Sequence, residues 1–243
     1  MRSQRQVVQS AIGLVLVAAL GIAGPSIPAN GQVIPSSTEV KAYRGLLAAA
    51  AAGDLTTTRR LLGRGTSPNV TDAYGRTSAH VAAHFKRHQT LALLLKSGAD
   101  PNRLERDRYD VITIAAVAND PETIRVALRY GGRATNVTSR YDGTALIAAS
   151  HLGNIESVRV LVTAGAPLDH VNNLQWTALL EAIILGDGGP RHTAVVTTLV
   201  KAGADVDIAD GNGVTPLAHA RSRGYKAIIG ILEAASATAS TRA

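Results

Sequence analysis

A 33-residue period constrains this chain more than any other feature of its sequence. The segments RTSAHVAAHFKRHQTLALLLKSGADPN (from Arg76), GTALIAASHLGNIESVRVLVTAGAPLD (from Gly143) and VTPLAHARSRGYKAIIGIL (from Val214) align when Thr77 is taken as an origin. Equivalent positions fall at Arg44, Thr77, Asp110, Thr144, Thr177 and Thr215, spaced by 33, 33, 34, 33 and 38 residues. Five residues after each origin stands an alanine: Ala49, Ala82, Ala115, Ala149, Ala182 and Ala220. Two after it the residue is always apolar, and nine after it come Gly53, Lys86, Asn119, Gly153, Gly186 and Gly224. A period of this length marks stacked supersecondary units, none of which can bury its apolar face alone.

The physics of one unit follows from its residues. A Thr or Asp origin is a good N-cap, its side-chain oxygen accepting from N–H groups that the first helical turn leaves free. A first helix of about two turns follows, with the in-register alanine where a neighbouring helix approaches. Glycine at the ninth position permits the left-handed conformation that ends it. A second helix carries Leu and Val at helical spacing, as in Leu91, Leu94 and Leu95, or Val158, Leu161 and Val162. Glycine closes it (Gly65, Gly98, Gly131, Gly165, Gly203), and an extended turn leads to the next unit.

These residues resemble the ankyrin-repeat pattern D-x-x-G-x-T-P-L-H-x-A-A with G-A-D-x-N at the end of the unit. Asp72, Gly75, Thr77, His80, Ala82 and Ala83 fit it, closed by Gly98, Ala99, Asp100 and Asn102; so do Asp210, Gly213, Thr215, Pro216, Leu217 and Ala220. The resemblance spans residues 41–234. It departs in the repeat from Asp107, where D-V-I-T-I (Asp110–Ile114) stands in place of T-P-L-H, and at the first repeat, which has no threonine origin. It implies an all-α solenoid of about six helix-turn-helix repeats joined by extended, hairpin-like turns, with the first and last repeats as caps. Residues 30–40 are then a linker and 235–243 (ASATASTRA) a disordered tail.

The N-terminus reads as an export signal over residues 1–29. Arg2 and Arg5 precede Ala11–Ala23, 13 residues without a charge, and Ala29 offers a cleavage point. The run is shorter than the roughly 20 residues a transmembrane helix needs. Export to the periplasm, or beyond the cell, is therefore the expected localisation, with no stable membrane span after cleavage. The remaining chain holds 23 Lys and Arg against 18 acids, a basic balance that favours an acidic partner. No run of five or six like charges points to nucleic acid. Cysteine is absent, which excludes disulfides, thiol catalysis and Cys-ligated zinc.

Chemistry-bearing motifs are few. His80, His84 and His88 stand at i, i+4 and i+8, but no glutamate follows His80 and no complete ligand set appears, so no metal is expected. Asp205 to Pro216 fails as a calcium loop at its fifth, sixth and twelfth positions. No G-x-S-x-G elbow is present, and no cofactor is implied. Glu181, an acid among apolar neighbours on a first helix, is expected at the solvent-exposed concave side.

The turn tips carry the functional expectation. They present Tyr74, Arg76, Arg106, Arg108, Tyr109, Arg140, Tyr141 and Trp176, side chains of the kind that anchor protein interfaces. The resemblance points the same way, since tips and adjoining first-helix surfaces commonly form the recognition face of ankyrin proteins. The expected protein is a non-catalytic, monomeric scaffold that binds another protein. The alternative is a phosphate- or small-ligand-binding protein, or an enzyme, that uses GDGGPRH with Asp187, Arg191, His192 and Glu181. That stretch is a five-residue insertion (187–191) between the two helices of the fifth repeat, and Pro190 is suited to open a late second helix.

Overall fold

The computed structural model describes residues 34–240, with side chains through residue 237. The segment 1–29, expected to be an export signal, and residues 241–243 lie outside the described residues. From Pro35 onward the chain forms one compact unit.

Helix α1 (Ser37–Ala42) precedes six pairs: α2 (Gly45–Ala52) with α3 (Leu55–Gly63), α4 (Ser78–His84) with α5 (His88–Lys96), α6 (Val111–Val117) with α7 (Pro121–Arg129), α8 (Ala145–His151) with α9 (Ile155–Thr163), α10 (Ala178–Ile184) with α11 (Pro190–Lys201), and α12 (Pro216–Ser222) with α13 (Lys226–Ser240). The first helices pack in one row, and α3, α5, α7, α9, α11 and α13 follow each other in a second. One two-stranded hairpin, β1 (Val137–Thr138) and β2 (Gly143–Thr144), pairs Val137 with Thr144 and Thr138 with Gly143.

The N-caps start the first helices where the period places them. Thr77, Asp110, Thr144, Thr177 and Thr215 each accept, through a side-chain oxygen, the N–H three residues on. Arg44 caps α2 without such a bond. Each first helix lasts only seven or eight residues, so its stability comes from packing rather than propensity. The in-register alanines are all buried, and Ala82, Ala115, Ala149, Ala182 and Ala220 join Leu91, Leu94, Ile124, Val158, Leu161, Val195 and Leu199 in one continuous apolar core. An alanine there lets two helices approach; a larger side chain would overpack the site at a cost of about 1–3 kcal/mol.

The turns after the outer helices are stitched from repeat to repeat. Asn69 Nδ2 donates to the Gly98 carbonyl at 3.0 Å, and its Oδ1 accepts the Asp100 N–H at 3.0 Å. Asn102 repeats both bonds with Gly131 and Arg133, each at 2.9 Å, and Asp169 accepts from Asp205 N–H.

Three expectations need correction. Residues 30–40 are not wholly a linker: Ser36 and Glu39 form a reciprocal capping box that starts α1. The tail is not irregular from residue 235, because α13 continues to Ser240. The ninth-position glycine is left-handed at Gly53, Gly153 and Gly224 but not at Gly186, and Lys86 and Asn119 take the same positive φ without being glycine. In the fifth repeat the insertion moves the left-handed residue to Gly188, at φ +67°.

Candidate functional site

Each inter-repeat hairpin turns on five residues that end just before a first-helix N-cap: 72–76, 105–109, 139–143, 172–176 and 210–214. The first of the five holds the turn together. Asp72 Oδ1 accepts the N–H groups of Tyr74 and Arg76, Glu105 Oε1 those of Asp107 and Tyr109, Asn172 Oδ1 those of Leu174 and Trp176, and Asp210 Oδ1 those of Asn212 and Val214. Ser139 makes only the first bond of the pair, to Tyr141. The fourth residue is left-handed throughout: Gly75, Arg108, Asp142, Gln175 and Gly213. Main-chain bonds then join successive hairpins, Arg106 N–H to the Tyr74 carbonyl, Ser139 N–H to Arg108, and Asn173 N–H to Tyr141, each at 2.9 Å.

This frame sorts the expected partner-binding residues into two groups. Fifth-position side chains point inward. Arg76 is 1 % exposed, and Tyr109 and Trp176 are each 6 % exposed, so none of the three presents a free surface and all three are removed from the exposed set. Arg76 Nε lies 2.7 Å from Asp72 Oδ2, and its Nη2 pairs with Glu39 of α1. Burial pushes the Tyr109 phenol up to about 12. The same register reaches Tyr43, also buried, whose hydroxyl donates to Asp72 Oδ2 at 2.8 Å; α1 thus stands where a preceding hairpin would be.

The third-position tyrosines, Tyr74 and Tyr141, and the neighbouring arginines point outward. Tyr74 is exposed, with the guanidiniums of Arg76 and Arg106 over its ring at 4.5 and 5.2 Å from the centroid. Tyr141 is 47 % exposed. Arg108 and Arg140 are exposed and cross-linked to the neighbouring hairpin: Arg108 Nη1 to Asp142 Oδ1 and Arg140 Nη2 to Asp107 Oδ1, both at 3.0 Å. Three residues absent from the expectation belong here. Apart from Ile34, the exposed large apolar side chains of the described residues are Tyr74, Leu104, Val137, Tyr141 and Val171. All five sit on the hairpins, and Leu104, Val137 and Val171 lie just before the five-residue turn. Their signal was the apolar residue in a turn that the N-cap register identifies.

Glu181 differs from expectation. It is buried at 4 % exposure because it has partners: Asn172 Nδ2 donates to Oε1 at 2.9 Å, and His151 Nδ1 lies 3.2 Å from Oε2. The two ring nitrogens of His80 are likewise engaged, Nδ1 with Thr77 and Nε2 with the Arg103 carbonyl at 2.8 Å. Burial lowers His80 to about 4. His88 belongs to the next helix and meets Asp120 at 2.8 Å, so the three histidines do not converge. No group of three or more His, Asp or Glu among the described residues is arranged to hold a metal ion.

The inserted loop is occupied by its own side chains. Asp187 Oδ1 accepts the Gly189 N–H at 2.9 Å, which puts a carboxylate where an anion would meet the start of α11, and it lies 2.8 Å from His192 Nδ1. His192 Nε2 engages the His151 carbonyl at 3.0 Å. Arg191 donates to the carbonyls of Leu152 and Gly153 at the end of α8. A Cβ at Gly186 would overlap the Ala182 carbonyl and the His192 ring, and one at Gly188 would overlap the Tyr225 ring. The loop braces the end of one helix against the next two repeats, and its polar groups are spent on that bracing.

Comparison with known proteins agrees with this geometry. The family model for ankyrin repeats (three copies) matches residues 46–133 and 112–210. The chain is 31 % identical over 192 residues to the ankyrin repeat protein YahD of Escherichia coli (strain K12), covering 79 % of this chain and 95 % of that one. An ankyrin repeat domain from Acinetobacter baumannii AYE superposes with a TM-score of 0.76 at 39 % identity, covering 79 % of this chain and 97 % of the other. The ankyrin repeat protein EF0377 gives 0.74 at 30 %, with 79 % and 98 % covered. Ankyrin repeats in general mediate protein–protein interaction. Period, hairpin frame and relatives agree: the chain belongs to the ankyrin-repeat family.

Proposed function

We propose that this protein is a non-catalytic interaction scaffold that holds a protein partner, one with an acidic surface, on its hairpin row. The observation that carries the reading is that, among the described residues and Ile34 apart, the exposed large apolar side chains are confined to the hairpins. Soluble proteins rarely expose such side chains together unless the patch has a partner. Tyr74 is the anchor of choice: stacking under Arg76 and Arg106 holds the ring before a partner arrives, and side chains held in advance lose little freedom on binding. The acids of the row are already engaged, Asp107 and Asp142 with arginines and Asp72 with Arg76, whereas Arg106 has only a carbonyl and a ring. An acidic surface complements that excess.

Export to the periplasm or exterior is part of the proposal, on the strength of the Arg2–Ala29 segment; no helix of the described residues is long and apolar enough to cross a membrane. The scaffold acts as a monomer. The experiment is affinity capture from envelope extract with tagged wild type and with a Tyr74→Ala, Tyr141→Ala double variant, alongside fractionation of the native protein. Captured proteins should disappear with the double variant while helical content is retained. Equal capture by both proteins refutes the assignment of the surface, and recovery in the cytosol refutes the localisation.

A further inference from the structure

A second charged surface lies away from the hairpins. Between residues 34 and 133 there are 15 Lys and Arg against 9 acids, whereas 134–243 hold 8 against 9, so the basic excess belongs to the first three repeats. Much of it sits on the outer helices and the turns that follow them: Arg59, Arg60 and Arg64 around α3, Lys96 at the end of α5 with Arg103 beyond it, Arg129 at the end of α7 with Arg133 beyond it. All seven are exposed, and among the described residues none forms an ion pair.

The exposed acids of the same stretch are committed. Asp54 caps α3 through the Thr57 N–H, Asp100 accepts the Asn102 N–H, and Glu122 lies 3.6 Å from Arg125. The repeat register puts Lys96 and Arg129 at equivalent positions on adjacent outer helices, and Arg59 and Arg125 two repeats apart on that face. Self-repulsion among unpaired cations opposes folding.

Within this patch, an open groove of about 530 Å³ runs between α3 and α5. Arg59, Thr66, Ser67 and Ser97 line it with a guanidinium and three hydroxyls, and Leu62, Pro68 and Leu93 with apolar surface. Donors beside an apolar floor match a phosphodiester headgroup joined to its glycerol and acyl chains, whereas a free inorganic anion would use only the donors. The array also lacks an exposed aromatic side chain for stacking bases, as a single-stranded nucleic-acid platform would use.

We propose that the outer face of repeats 1–3 docks on a membrane surface of anionic phospholipid, with a headgroup seated in the α3–α5 groove. The hairpin row lies on a different part of each repeat and stays free for its partner, so the two surfaces stand or fall separately. Basic residues near an anionic bilayer strengthen binding about fivefold each at moderate salt, and the attraction fades once the Debye length shrinks.

The test is cosedimentation of the chain without residues 1–29 with vesicles of phosphatidylcholine containing 30 % phosphatidylglycerol, against phosphatidylcholine alone. Binding is expected only to the anionic vesicles, is lost in high salt, and falls at least tenfold in an Arg59→Gln, Arg60→Gln, Arg64→Gln, Lys96→Gln variant whose melting temperature is not lowered. Tyr74→Ala with Tyr141→Ala should leave vesicle binding intact. Arg59→Gln alone should weaken it more than Arg133→Gln, which lies outside the groove. The proposal is overturned by failure to bind anionic vesicles at low salt, by full binding of the fourfold variant, by loss of binding with the tyrosine variant, by displacement with millimolar inorganic phosphate, or by tighter retention on heparin or duplex DNA than on vesicles.

Discussion

The Tyr225 hydroxyl donates to the Gly186 carbonyl at 2.9 Å, joining the last repeat to the loop inserted in the one before it. The ring of the same tyrosine packs against Gly188, where the backbone is left-handed. With Arg191 and His192 reaching back to the end of α8, the insertion ties three consecutive repeats together.

Two variants separate the parts of this tie. Tyr225→Phe removes one hydrogen bond and should cost about 1 kcal/mol. Gly188→Ala adds a strained left-handed residue and a steric overlap with the ring, and should cost about 2–4 kcal/mol. Urea unfolding measures both; equal effects would contradict the packing described for Gly188.

The inward-pointing fifth position makes Trp176, the chain's one tryptophan, a structural residue. Trp176→Ala should destabilise the protein by about 3–5 kcal/mol. In the wild type, tryptophan emission should be blue-shifted and insensitive to a bound partner. Partner-dependent quenching would return Trp176 to the binding surface.

A group whose folded pKa is depressed by burial in its neutral form, such as His80 at about 4, loses stability as pH falls. The unfolded chain takes up a proton below about 6.5 that the folded protein refuses until about 4, so the unfolded state binds more protons across that window. Stability should therefore decline between pH 6.5 and 4, by at most about 3 kcal/mol from this residue. His80→Gln should flatten that part of the profile relative to wild type. A wild-type stability curve that rises toward pH 4.5, or a variant with the same slope, contradicts the buried neutral imidazole.

The hydroxyl of Ser150 is buried in α8 without a hydrogen-bond partner. Unpaired buried polar groups are costly, so Ser150→Ala should be neutral or stabilising by up to about 2 kcal/mol in thermal melts. A loss of more than 1 kcal/mol would mean that the hydroxyl is bonded after all.

Much of this architecture was legible in the sequence. Thr77, Asp110, Thr144, Thr177 and Thr215 are N-caps because a side-chain oxygen at that place has one local partner, the N–H three residues on, and local bonds leave periodic traces. The hairpin row was read less well for a geometric reason. Tyr109 and Trp176 stand at the fifth position and Tyr74 and Tyr141 at the third, a difference of two residues across a left-handed turn that residue type alone does not reveal. The sequence does not show the burial of Arg76 and Glu181, because it depends on Glu39 of α1 and His151 of the preceding repeat as well as on the nearby Asp72 and Asn172. The GDGGPRH loop reads as an anion cradle in one dimension because its donors are visible there and their acceptors, at Leu152, Gly153 and His151, are not.

The central claim is that exposed third-position tyrosines, and not their buried fifth-position counterparts, meet the partner. The most direct measurement is titration of the captured partner against Tyr74→Ala, Tyr141→Ala and the double variant, with Tyr109→Phe as a folded control. The account predicts a loss of about 2 kcal/mol or more of binding free energy for the double variant and wild-type affinity for Tyr109→Phe. Wild-type affinity in the double variant, or a loss confined to Tyr109→Phe, would contradict it.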